Sequence, residues 1–207
     1  MAKGKLRAET SWDDGSLFDL KIAKLLLKHQ MPGTFYISDS GSLDKPEIRH
    51  LGARFDIGGH TVSHVEDLKR LSDDELDYEV LVNKQHLEDC LRRKITKFCY
   101  PSGRYDERVI EAVKRAGYKE ARTTIVLKTE GRDSFRTDTT IHTFPRREYK
   151  GRDWDEIGKE YAHAAARTGG YFHLWGHAAD LERFSYWQRL RKFLQWLEDN
   201  FVIINQT

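Results

Sequence analysis

Extended and helix-like segments alternate along this chain, and that alternation restricts the fold more than any other feature. The stretches "KLRAETSW", "TFYIS", "RFDIGGH", "ITKFCYPSG", "EARTTIVL", "IHTFPRRE", "YFHLWGH" and "FVIIN" read as strands. Most are followed by segments such as "LFDLKIAKLLLKHQ", "LSDDELDYEVLVNKQHLEDCLRR", "DERVIEAVKRAGY", "DWDEIGKEYAHAAARTGG" and "YWQRLRKFLQWLEDN", in which apolar residues recur at helical spacing. Ser72 with Glu75 three residues later predicts a capping box at the start of the second of these helices. Repeated strand-then-helix units with short connections build a parallel sheet, open or closed into a barrel. With no linker, internal repeat or low-complexity tract in 207 residues, the expectation is one α/β domain over 1–207.

Charge narrows the partners. Thirty-five Lys and Arg against 33 Asp and Glu leave a net +2, so nothing calls for nucleic acid or an anionic membrane. The two cysteines, Cys90 and Cys99, make no disulfide framework and read as small buried thiols. No apolar run is long enough for a membrane span, and "MAKGKLRAET" does not read as a signal peptide, so the expected location is cytoplasmic.

In parallel α/β barrels, functional residues collect where strands end and the following loops begin. The unusual polar residues sit at such ends. "ETSWDDGS" closes the first strand on two adjacent carboxylates, Asp13 and Asp14. "GGHTVSH" places His60 and His64 after another strand, Tyr100 and Pro101 follow "ITKFC", and His177 ends "YFHLWG". The spacing of His60 and His64 predicts two imidazoles on one face of a helical turn, offered to one metal ion. A carboxylate from another strand end would complete a His-His-Asp set suited to zinc, with cobalt, nickel or manganese as alternatives. The doubled aspartate then has a rationale: one carboxylate ligates the metal while its neighbour accepts a proton from the water that the metal activates.

These motifs together resemble the polysaccharide deacetylase family, the NodB-homology carbohydrate esterases: "SWDDG", "HTVSH", "CYPSG" and "LWGH" occur in its order and approximate spacing. The resemblance runs from about residue 6 to residue 180. It implies a distorted (β/α) barrel and metal-dependent removal of an N- or O-acetyl group from an acetylated sugar, oligosaccharide or glycan-linked substrate. By the same resemblance Asp13 is the catalytic base, Asp14, His60 and His64 hold one divalent ion, and His177 is the general acid. It also assigns the oxyanion N–H to Tyr100, next to Pro101 in the loop, and the wall of the acyl methyl pocket to Leu174.

Two departures from the family pattern stand out. Cys99 occupies the place of an arginine that orients the base, with Arg146 and Arg147 as candidate replacements. The aspartate that tunes the acid histidine has no plain counterpart, and Asp153 or Asp155 in "RDWDE" holds the right residue type. Among the aromatic residues, Trp154 is the expected stacking surface for a sugar ring, with Trp175 as a second contact, while Trp12 reads as core. His173 is expected on the same strand face as Trp175 and His177. Two other readings remain open: hydrolysis of another C–N bond such as a formamide or ureide, which the resemblance includes and the altered third motif at Cys99 keeps open, and a non-catalytic metal- or carbohydrate-binding protein.

Overall fold

Strand β1 (Gly4–Asp13) sets the architecture, because it is buried along its second half and lies at the centre of the sheet. The computed structural model describes residues 3–204. Successive side chains of a strand point to opposite faces. On one face of β1, Leu6, Ala8 and Trp12 enter the apolar core. On the other, Glu9, Ser11 and Asp13 face the barrel interior, where Glu9 accepts from Thr34 (2.9 Å) and Ser11 Oγ meets His173 Nε2 (2.8 Å). The interior is thus a stack of polar layers leading up to the strand ends.

The strands are β2 (Gly33–Ile37), β3 (Asp56–Gly59), β4 (Lys97–Cys99), β5 (Glu120–Arg122), β6 (Ile141–His142), β7 (Tyr171–Gly176) and β8 (Phe201–Ile204). Their order is β5-β4-β3-β2-β1-β7-β6, with β8 paired to the first residues of β1, and every pairing is parallel. The two edges approach through one segment. Thr137 bridges to Arg122 of β5, while Thr140 N–H and Thr143 N–H donate to the His173 and Trp175 carbonyls of β7. The sheet therefore curls into the distorted (β/α) barrel that was expected, in a single α/β domain.

Around it lie α1 (Asp19–Lys28), α2 (Lys45–Gly52), α3 (Asp73–Asp77), α4 (Asn83–Leu91), α5 (Glu107–Arg115), α6 (Trp154–Thr168), α7 (Ala178–Arg183) and α8 (Trp187–Asn200). The predicted capping box at Ser72 and Glu75 is present. The long helix expected over 71–93 is not uniform: α3 and α4 are joined by a π-helical turn, Tyr78–Val82. Two helices had no counterpart in the sequence reading. Helix α2 opens on its own capping box, Asp44 with Glu47, and α7 begins immediately after His177. Among the described residues no helix is long and apolar enough to cross a membrane.

The glycine pair before His60 has a steric cause. A Cβ at Gly59 would lie 2.0 Å from Tyr118 Oη and 2.9 Å from Asn83 Oδ1, and one at Gly58 would enter the Tyr36 ring. Gly59→Ala is therefore expected to destabilise the fold by about 1–3 kcal/mol, the usual range for overpacking. A urea unfolding curve checks this, and an unchanged midpoint would mean that the strand end relaxes freely.

Candidate active site

The ends of β1 and β3 bring three metal-type donors together. Asp14 has φ 80°, a left-handed conformation that turns its side chain away from that of Asp13. Its Oδ1 lies 3.4 Å from His60 Nε2 and 3.2 Å from His64 Nε2. His60 Nδ1 is 2.8 Å from the Cys99 carbonyl oxygen, to which it donates, and this assigns the lone pair to Nε2. The pair does not sit on a helical turn as expected. Residues 60–64 form a loop in which Thr61 (φ 68°) and His64 (φ 55°) are left-handed, and the His64 N–H donates to Thr61 Oγ1 at 3.1 Å.

The electrostatics fit a cation. Burial disfavours the Asp14 carboxylate; proton donation from His60 and His64 would outweigh it and hold the carboxyl far below its ordinary pKa, and with lone pairs facing Asp14 a cation between them takes that role. His64 is pushed up by the same Asp14 contact. Asp14 Oδ1 is buried without a hydrogen-bond donor of suitable geometry. One carboxylate oxygen and two imidazole nitrogens converging without a donor between them are the donor set of a borderline divalent ion, and Asp14 and His64 stay partly exposed, leaving room for further ligands.

Asp13 is held apart from this set. Its Oδ2 accepts from Arg122 Nη2, while its Oδ1 is buried and meets no donor. Arg122 comes from β5, whose register places it beside Cys99 of β4. The guanidinium is fully buried between the Trp175 and Tyr36 rings, 4.4 and 5.2 Å from their centroids, and donates to the Thr123 carbonyl and to Cys99 Sγ at 2.8 Å. Arg122 thus reaches the Asp13 carboxylate from the strand next to Cys99. Neither expected substitute reaches Asp13: Arg147 is exposed, and Arg146, 5.8 Å from the Trp175 ring centroid, pairs with Glu148 at 3.1 Å.

His177 ends β7 and caps α7. Its Nδ1 lies 3.4 Å from Asp180 Oδ2, one helical turn on, and 3.4 Å from His142 Nε2. Burial lowers its pKa, but Asp180, Asp13 and Asp14 reverse that and raise it overall. His142, on β6, is pushed well down by burial, with His177, Arg146 and Arg122 adding to the effect, so it faces His177 as a neutral ring. Asp180, rather than Asp153 or Asp155, is thus the carboxylate that reaches the His177 ring. Those two instead pair with Arg189 of α8, at 2.7 and 3.7 Å. Asp19, at the start of α1, is a further group the sequence did not single out. It is fully buried with neither oxygen meeting a donor, and burial, with Asp14 and Asp13, raises its pKa well above the ordinary value.

Three other expected site residues are corrected by their surroundings. Leu174 is register-paired with Ile141, whose side chain lies against Gly158 of α6, so Leu174 faces the helices and not the site. The period of two puts Trp175, with His173 and His177, on the interior face, and the Trp175 ring lies 4.1 Å from that of His142. Trp154 is buried against Phe193 of α8, ring centroids 5.3 Å apart, and offers no face to a sugar. The Tyr100 N–H donates to the Arg122 carbonyl at 3.3 Å within the sheet, so it is not free for an oxyanion. The next N–H after Pro101 belongs to Ser102, left-handed at φ 53°, and it meets no acceptor among the described residues.

Residues 3–121, over half of the chain, match the polysaccharide deacetylase family. No curated protein matches the chain. Among solved structures, the Streptococcus pyogenes deacetylase PplD in complex with acetate is similar at 22% identity and a TM-score of 0.56, over 63% of this chain and 62% of that one. The chain thus aligns with less than two thirds of that relative's length. The CE4 family pseudoenzyme BA3943 from Bacillus anthracis is similar at 16% identity and a TM-score of 0.66, over 99% of this chain and 65% of that one. The Xyl-CE4 domain of a multidomain xylanase from the hindgut metagenome of Trinervitermes trinervoides is similar at 10% identity and a TM-score of 0.67, over 97% and 87%. At these identities the likeness concerns the fold, while the family match rests on the sequence itself: the chain belongs to the polysaccharide deacetylase family.

Proposed function

We propose that this chain is a metal-dependent carbohydrate deacetylase that hydrolyses an acetyl group, N-acetyl before O-acetyl, from a sugar or oligosaccharide. The observation that carries the reading is the meeting of Asp14 Oδ1 with His60 Nε2 and His64 Nε2, next to an Asp13 carboxylate that a buried arginine already orients. A divalent ion at Asp14, His60 and His64, zinc before cobalt, nickel or manganese, supplies Lewis acidity toward the acetyl carbonyl and a water acidic enough to attack near neutral pH.

The chain's own groups supply the rest. Asp13 Oδ1, buried and without a donor, takes the proton of the attacking water, while Arg122 on Oδ2 keeps the carboxylate aimed. His177, its pKa raised with Asp180 at Nδ1, gives a proton to the departing amine or alkoxide. The Ser102 N–H is the loop donor left for the oxyanion, in place of Tyr100. Trp175 replaces Leu174 as the apolar wall beside the acyl methyl, and Pro101 keeps its expected place as a substrate contact in the turn that carries Ser102. Asp13 and His177 favour catalysis over mere binding, because holding a metal or a sugar requires neither proton-transfer group.

Calorimetric titration of zinc into chelator-stripped protein is the test, with His64→Ala as control. The expected result is tight binding at one ion per chain, lost in the control, with acetate released from acetylated oligosaccharides by the loaded protein. No binding by the wild-type protein overturns the metal mechanism. Binding with release of formate in place of acetate would assign the same machinery to a formamide, and binding without release of either would leave a non-catalytic metal protein.

A further inference from the structure

The loop that carries both histidines is strained, and something must hold it. Thr61 and His64 are left-handed without being glycine, a conformation that persists only where surrounding contacts enforce it. Those contacts converge from the π-helical turn between α3 and α4. Such widened turns recur at functional sites. Here the turn and the residue after it present Glu79 and Asn83, four residues apart and both buried, to one side of the helix.

Glu79 meets the loop three times. Its carbonyl accepts from Val62 N–H at 3.2 Å, its Oε2 from Ser63 N–H at 2.9 Å and its Oε1 from Ser63 Oγ at 2.6 Å. Asn83 Oδ1 accepts from His60 N–H at 3.0 Å, and its Nδ2 donates to the Ile37 carbonyl (3.1 Å) and to Asp39 Oδ1 (2.8 Å). On the far side, Asp39 N–H and Ser40 N–H donate to the Thr61 and Val62 carbonyls, at 3.2 and 2.9 Å. The absence of a Cβ at Gly59 is what lets Asn83 come this close to the His60 backbone.

We infer that Glu79 and Asn83 are positioning residues for the metal: they hold the His60–His64 loop in the conformation in which both Nε2 atoms meet Asp14. The inference rests on the metal reading above and deepens it. Neither side chain is a ligand. Asn83 holds the backbone of His60 and Glu79 that of Val62 and Ser63, and a loop released from them must be reordered when the ion binds, so the loss falls on metal affinity. Groups that orient metal ligands from behind typically change affinity by about 10- to 100-fold when removed.

The experiment titrates zinc into chelator-stripped wild-type protein, Asn83→Ala, Glu79→Gln and Ser72→Ala, and records the cobalt(II) absorption spectrum and the metal-free melting temperature of each. Ser72→Ala removes the cap of the same helix but leaves both clamping residues in place. The expected result is zinc affinity weakened about 10- to 100-fold in Asn83→Ala and Glu79→Gln with an altered cobalt spectrum. Ser72→Ala should melt earlier yet bind zinc like the wild type. Affinities within about twofold of wild type in both clamp variants overturn the inference, as does an equal loss in Ser72→Ala, which would trace the effect to general stability. Should Asn83→Ala not fold, Ser63→Ala removes only the hydroxyl on Glu79; about threefold weaker binding supports the clamp and unchanged binding overturns it. No zinc binding by the wild-type protein is a different failure, that of the metal reading itself.

Discussion

Asp13→Asn is expected to reduce acetate release by about 10²- to 10⁴-fold while leaving zinc affinity nearly unchanged. Asparagine keeps the shape of the side chain and an oxygen for the Arg122 guanidinium, but it has no basic site where Asp13 Oδ1 now lies buried without a donor. The paired measurement also decides between two sets of metal-type donors. Asp13, His60 and Cys99 also offer donor atoms within 4.8 Å of one another, as Asp14, His60 and His64 do. Physical chemistry favours the second set. Asp13 and Cys99 both already contact the Arg122 guanidinium, which would repel a divalent ion placed among them. Burial raises the Cys99 pKa, so the group is a thiol and not the thiolate a metal prefers. That first set is also fully buried, whereas Asp14 and His64 open to solvent and hence to substrate. If Asp13→Asn loses zinc while His64→Ala keeps it, the ion belongs with Asp13, His60 and Cys99, and Asp14 is not its carboxylate ligand.

What the sequence disclosed, and what it withheld, follows from the range of each interaction. Strand ends are legible because apolar runs and turn residues are local signals, so the sequence alone places Asp13, Asp14, His60, His64 and His177 on one rim. The two-residue period of β7 puts Trp175, not Leu174, on the face of His177, and the structure keeps that alternation. Asp180 as partner of His177 needed residues 178–183 to be recognised as helix, and that short segment carries little periodicity. Helix α2 was readable in principle from Asp44-Lys45-Pro46-Glu47, a capping box with proline in the first turn. Trp154 was not: which face of α6 turns inward depends on how it docks against Phe193 of α8. Arg122 was the least legible, because its meeting with Asp13 requires the β4–β5 register and the curl of the whole sheet.

Arg122→Ala should therefore be among the most damaging changes in the chain, in stability and activity together. The Arg122–Asp13 pair is buried on both sides, and removing one partner of such a pair typically costs about 3–5 kcal/mol. The change also removes the group that aims the Asp13 carboxylate, so acetate release should fall about 100-fold or more. Folding loss alone would produce a similar drop, and a compensating substitution separates the two causes. Cys99 and Arg122 are register partners on neighbouring strands, and Cys99 Sγ lies 3.7 Å from Asp13 Oδ2, so an arginine introduced at 99 starts beside the same carboxylate. In Arg122→Ala the lost side chain leaves the space between Tyr36 and Trp175 into which that new guanidinium fits. Cys99→Arg combined with Arg122→Ala is expected to recover a measurable part of the turnover lost in Arg122→Ala, at an unfolding midpoint no lower than that of the single variant. Cys99→Arg alone should harm, since it forces a second guanidinium against Arg122. Unchanged turnover in a folded Arg122→Ala protein would show that Asp13 needs no cation to work. Recovery in the double variant would show that the barrel requires a guanidinium at this point and is indifferent to which of two adjacent strands delivers it.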